Sequence, residues 1–76
     1  MLLLELIFPE QNLRLFSTVE GSVSVEEFRR FIEGFFELKN TCILFDGSLI
    51  EDDGKSLLEA GAHTGTGVMI CEHYNG

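Results

Sequence analysis

Apolar residues run from Met1 to Phe8, and Glu5 is their single charged interruption. Successive side chains of a strand point to opposite faces, so a solvent-facing Glu5 sends Leu2, Leu4, Leu6 and Phe8 to the core side. Pro9-Glu10-Gln11-Asn12 forms a turn, and Leu13 to Val19 has strand composition with mixed alternation. The two runs predict an N-terminal hairpin. Glu20-Gly21-Ser22-Val23 then breaks the pattern, and Ser24-Val25-Glu26-Glu27 has the form of a helix capping box. From there the apolar spacing changes from two to three and four. Val25, Phe28, Ile32, Phe35 and Phe36 make one broad apolar helix face, widened by Phe31, and Glu26, Arg29, Arg30, Glu33 and Glu37 take the other. Gly34 weakens that helix by about 1 kcal/mol relative to Ala, which predicts a close approach of the helix to a sheet.

Lys39-Asn40 closes the helical stretch, and Thr41 to Phe45 is a third strand. Asp46-Gly47 is a strong hairpin signal leading to a brief strand at 48–50. Ser56 to Ala60 reads as a short helical turn stopped by Gly61, and Gly65-Thr66-Gly67 turns the chain into a last strand, Val68 to Cys71. The predicted order, β-β-α-β-β-β, is an α+β fold with a mixed sheet packed on one main helix. Alternation places Ile43, Phe45, Val68 and Ile70 inward and leaves Cys42, Leu44, Met69 and Cys71 together on the outer face. That set is a candidate protein-binding patch. It is also what ordinary surface hydrophobes look like, since apolar atoms contribute more than half of a folded surface.

Seventy-six residues make one domain, with no room for a separate catalytic one. Thirteen acidic residues against five Lys and Arg give a net charge of −8, which argues against a nucleic-acid partner because phosphate binding depends on cationic side chains. Basic protein surfaces fit better. The leading apolar run is interrupted by Glu5, has no basic residues before it and is too short for a membrane span. Two cysteines without a signal sequence predict reduced thiols in a cytoplasm. No His is placed by local sequence to activate Cys42 or Cys71, so the chain is not expected to be an enzyme. His63 and His73 have no paired-ligand spacing with the cysteines, and neither metal nor cofactor is expected. Glu51-Asp52-Asp53-Gly54 lacks the alternating ligands of a calcium loop and reads as a solvated turn.

The stretch from Thr41 to Leu57 resembles the segment of ubiquitin-like proteins in which a core strand turns through a glycine, pairs briefly and passes through an acidic loop to a Leu-bearing turn. The hairpin, the capped helix, the Leu44-Phe45-Asp46-Gly47 strand and turn, and Ser56-Leu57-Leu58-Glu59-Ala60-Gly61 extend the resemblance over essentially the whole chain. It implies the ubiquitin-like β-grasp fold, with residues 1–71 as the domain and 72–76 as a tail. It further implies a protein modifier whose C-terminal glycine carboxylate, here that of Gly76, is adenylated, carried as an activated ester by partner enzymes and joined to an amine of a target protein. Glu72, His73, Tyr74 and Asn75 would be the extended lead that those enzymes recognise. The implied partners are activating and conjugating enzymes, a processing peptidase and the targets, with Lys39, Lys55 and the N-terminal amine as sites of self-linkage.

The tail departs from ubiquitin in carrying Asn75-Gly76 in place of paired glycines and in lacking basic residues. With the acidic domain, this looks more like modifiers of bacterial ubiquitin-like conjugation operons, several of which act in defence against phages. Gly makes up about 7% of average sequences, so a final Gly carries weight only with its position five residues past the predicted strand. The alternative class is a non-covalent ubiquitin-like adaptor, such as an accessory protein of type VII secretion. A sulfur carrier ranks third because such proteins usually end in paired glycines.

Overall fold

The computed structural model describes residues 1–72. Strand β1 (Leu2–Phe8) and strand β2 (Leu13–Val19) pair antiparallel without a bulge, from Leu2 opposite Val19 to Phe8 opposite Leu13. The expected parity holds: Leu4, Leu6 and Phe8 are buried, and Glu5 is on the outer face. The connection is a single 3-10 turn, Pro9–Gln11, ended by Asn12 in the left-handed region with φ 52. Asparagine is among the few residues that take this conformation at little cost.

Helix α1 (Val25–Phe36) starts where the sequence placed it, with the Ser24 hydroxyl accepting the Glu27 amide at 3.0 Å. The helix entry is also stitched to the loop after the fourth strand. The Val25 amide donates to the Lys55 carbonyl and the Leu57 amide to the Val23 carbonyl, each at 2.9 Å. Val25, Phe28 and Ile32 are buried and Phe36 is half-buried.

Three expectations for this helix are corrected. Phe31 and Phe35 are not core residues: they remain 60% and 70% exposed. The buried row runs through positions 28, 32 and 36 at i, i+4 spacing, which sets Phe31 and Phe35 on the flank, beyond the width of the sheet. Gly34 does not mediate close packing, because it is exposed and a Cβ there would meet nothing within 4 Å. Arg29 and Glu33 do not belong to a solvated face. Arg29 pairs with Asp53, and one carboxylate oxygen of Glu33 accepts from both the amide (2.9 Å) and the hydroxyl (3.0 Å) of buried Thr41.

Strands β3 (Thr41–Phe45), β4 (Ser48–Leu49) and β5 (Gly67–Glu72) complete a sheet of order β2-β1-β5-β3-β4. The β1–β5 pairing is parallel and the others are antiparallel, so the sheet is mixed, as expected. Asp46 and Gly47 both take positive φ, 47 and 88, the geometry of a tight hairpin whose twist matches its strands. Helix and inner sheet face enclose Leu4, Leu6, Phe8, Val25, Phe28, Ile32, Ile43, Phe45, Val68 and Ile70, and Leu57 closes the open end. Each such fully buried aliphatic or Phe side chain contributes about 1.5–3 kcal/mol.

Leu57 is held by a complete capping box. The Ser56 hydroxyl accepts the Glu59 amide at 3.0 Å, and the Glu59 carboxylate accepts the Ser56 amide at 2.9 Å. The Ser56 amide, and after it the Ser56 hydroxyl, hold the Glu59 carboxyl below its ordinary range by hydrogen bonding to the carboxylate. The turn stops at Gly61, φ 102, before a second helical turn can form.

Candidate protein-recognition surface

The outer sheet face carries the candidate site. Leu44 pairs directly with Met69 across β3 and β5, and Cys42 pairs directly with Cys71. All four predicted patch residues are therefore brought together on one surface. The register adds two that the sequence reading missed. Ile7 lies beside Met69 across the parallel β1–β5 pair, and Leu49 lies opposite Leu44. Ile7, Met69, Leu44 and Leu49 thus form one apolar row across four strands. Its most exposed members are Met69 at 39% and Leu49 at 54%. The parity that identified Glu5 as outward already assigned Ile7 to this face. Leu49 depended on the β3–β4 register, which only the hairpin geometry supplies.

The borders of the row are polar. Arg14 approaches Glu5 at 3.8 Å on one side, and His63 approaches Asp46 at 3.9 Å on another. Asp46 also accepts the Gly67 amide at 2.8 Å, fixing the start of β5 against the β3–β4 hairpin. An apolar stripe with a charged margin, presented on hydrogen-bonded strands, is suited to bind another protein by burial at its centre and orientation at its edge.

Cys42 and Cys71 are free thiols, each half-buried. Partial burial, with Glu10 and Cys42 nearby, pushes the Cys71 thiol above its ordinary pKa. It stays protonated at neutral pH and adds to the patch as a weakly polar side chain.

The tail needs one correction. Glu72 is not part of an extended lead, because it continues β5 and pairs with Thr41 at the end of the sheet. The strand runs one residue further than its apolar composition indicated, since backbone pairing does not require an apolar side chain. His73, Tyr74, Asn75 and Gly76, the residue expected to be conjugated, lie outside the described residues. Lys39 and Lys55 are both exposed, Lys39 between α1 and β3 and Lys55 in the loop that receives the Val25 amide. No helix among the described residues is long and apolar enough to cross a membrane.

No protein-family model and no curated protein matches this sequence. Solved structures do. The C-terminal ubiquitin-like domain of mouse tubulin-specific chaperone e superposes with a TM-score of 0.86 at 13% identity, covering 99% of this chain and 89% of that one. The ubiquitin-like domain from tubulin-binding cofactor B gives 0.81 at 16% identity, over 93% and 88% of the two chains. Ubiquitin of Caldiarchaeum subterraneum gives 0.80 at 15% identity, over 99% and 96%. With the strand order, the parallel β1–β5 pair and the single helix, these superpositions establish that the chain has the ubiquitin-like β-grasp fold.

Proposed function

We propose that this chain is a ubiquitin-like protein modifier, read by its partners through the Ile7–Met69–Leu44–Leu49 face and joined to them through Gly76. The observation that carries the reading is that β5 serves both ends of such a task. It contributes Met69 and Cys71 to the apolar face, and the chain leaving its end leads to Gly76 four residues beyond Glu72. The likeness to an archaeal ubiquitin over nearly the full length of both chains supports it. In the proposed reaction an activating enzyme uses ATP to convert the Gly76 carboxylate to an acyl adenylate, releasing pyrophosphate. An enzyme thiol displaces AMP to give a thioester, and a target amine displaces the thiol to give an amide. Glycine suits this passage because it has no side chain to obstruct a narrow catalytic channel. The chain is then a substrate of enzymes and not itself an enzyme. The acidic surface and the unpaired terminal glycine favour the bacterial conjugation setting, in a cytoplasm, with phage defence as its role.

A non-covalent adaptor is the second reading, favoured by the likeness to a ubiquitin-like domain from tubulin-binding cofactor B. The discriminating experiment incubates the protein with ATP and host extract, followed by intact and peptide mass spectrometry. Adducts joining Gly76 to a lysine, absent when Gly76 is deleted, are expected. Stable complexes that form equally well without Gly76, but are lost in Leu44→Asp, would replace the modifier reading with the adaptor.

A further inference from the structure

Both cysteines of the chain face each other across the outer sheet face, and the modifier reading gives their sulfur chemistry no task. Cys42 of β3 lies directly opposite Cys71 of β5, and the adjacent Ile43 and Ile70 are buried, so both thiols are on the outer side. In an antiparallel ladder, opposed residues alternate between pairs that exchange backbone hydrogen bonds and pairs that do not. The Asp46 amide donates to the Gly67 carbonyl at 2.8 Å, while the Ile43 carbonyl turns away from β5 to accept from Ile50 at 2.9 Å. Following the register from Asp46 and Gly67, the bonded pairs are therefore Leu44 with Met69 and Cys42 with Cys71.

That position sets the spacing. Opposed α-carbons of a bonded pair are about 5.5 Å apart, inside the range of roughly 4.4–6.8 Å that a disulfide spans. The β-carbons of such a pair are toward the upper end of about 4.5–5.5 Å, whereas a disulfide draws them to about 3.5–4.5 Å. The bond can therefore close, but only by pulling the two strands together at this point. Strain of that kind makes a disulfide easier to reduce.

We propose that Cys42 and Cys71 form a reversible disulfide, closed by exchange with a low-molecular-weight disulfide such as oxidised glutathione, that cross-links β3 to β5 beside Leu44 and Met69. In the first step the Cys42 thiolate attacks the small disulfide, whose sulfur-sulfur bond breaks and releases one thiolate. The Cys71 thiol then gives up its proton, its sulfur attacks the Cys42 sulfur, and the second small thiolate leaves. Two protein thiols are thereby oxidised by two electrons to one disulfide, and the small disulfide is reduced to two thiols that take up the two protons. Burial, and after it Glu10 and Cys42, hold the Cys71 thiol above its ordinary pKa. Cys71 is therefore the poorer first nucleophile and takes the resolving role.

A tetrahedral metal ion fits the pair less well, since it takes four ligands and no group of three or more His, Cys, Asp or Glu is gathered among the described residues. Closure acts on the recognition face directly. Leu44 and Met69 are the next bonded pair along the same two strands, and Glu72, from which the chain leads to Gly76, follows Cys71. Drawing β3 and β5 together at Cys42 and Cys71 therefore alters the apolar row and the strand that carries the tail, whether the face serves a modifier or an adaptor.

The test incubates the reduced protein with oxidised glutathione and follows it by intact mass, peptide mapping and backbone NMR. The expected product is a monomer lighter by two hydrogens, with Cys42 linked to Cys71 in the peptide map. Its amide shifts should concentrate at Thr41 to Leu44 and Met69 to Glu72, and excess reduced glutathione should return it fully to the dithiol. Cys71→Ser should stop at the mixed disulfide and accumulate glutathione on Cys42, whereas Cys42→Ser should form less adduct in the same time, and neither should close. Stable glutathione adducts on the parent, a disulfide-linked dimer, or no reaction would overturn the proposal. So would a closed form that excess reduced glutathione leaves intact, which would make the bond a permanent staple. Every outcome is read on the free protein and is independent of Gly76.

Discussion

Glu33 joins the helix to β3, and its removal should cost more than a surface carboxylate normally does. Its oxygen accepts two bonds from Thr41, a residue only 7% exposed. Glu33→Ala leaves both a backbone amide and a hydroxyl without their acceptor in a site that water enters poorly. Each unsatisfied donor costs about 1–3 kcal/mol when buried. Thr41 sits at the start of its strand, where partial hydration offsets some of this, so the lower half of the range applies to each donor and the sum is about 2–4 kcal/mol. For a domain of this size each kcal/mol moves the melting temperature by roughly 4–8 °C. Glu33→Gln retains a neutral acceptor of the same reach and should lose only part of that amount. Urea unfolding of the three proteins measures the stabilities, and hydrogen exchange at the Thr41 amide locates the change. The bonds would be irrelevant to stability if Glu33→Ala unfolded within 0.5 kcal/mol of the parent with Thr41 exchange unaltered. A loss spread equally over β1 and β2 would point instead to a general effect on the helix.

Gly21→Ala places a Cβ 2.6 Å from Cγ of Leu58; overpacking of this kind costs about 1–3 kcal/mol, and Leu58→Ala in the same chain should restore most of it, as a double-mutant cycle in urea will read. The Glu59 carboxyl, held low by Ser56, contributes stability that is present above the unfolded-state pKa and lost as pH falls through the lower folded-state value. Glu59→Gln should therefore flatten the acid side of the stability profile, and a carboxyl-carbon NMR titration of the parent should give a midpoint below that of an unstructured Glu.

Periodicity made the architecture legible because each element carried its own local signal. Glu5 set the parity of β1, Ser24 marked the helix start and Asp46-Gly47 fixed a hairpin. Those signals require no knowledge of the partner element. Phe31 and Phe35 were misassigned for the complementary reason: an apolar face on a helical wheel says which side is hydrophobic, but its buried width depends on how far the sheet extends beneath it. Glu33 and Arg29 were likewise read as solvated, because their partners, Thr41 and Asp53, lie 8 and 24 residues away and belong to other elements. The complete capping box at Ser56-Leu57-Leu58-Glu59 was available locally and was overlooked because the turn it serves is so short.

The misassigned phenylalanines bear on function more than the correct assignments do. Alternation found the Leu44 and Met69 face because both flanking strands are ordered by the same core, so its geometry follows once Ile43 and Ile70 are buried. No such coupling places Phe31 and Phe35. The core neither needs nor shelters these rings, and an exposed apolar cluster carries a standing risk of association. They stand beside an unpaired strand edge, where that risk is greatest. A domain with acidic residues to spare could have filled these positions with charge at little cost to folding.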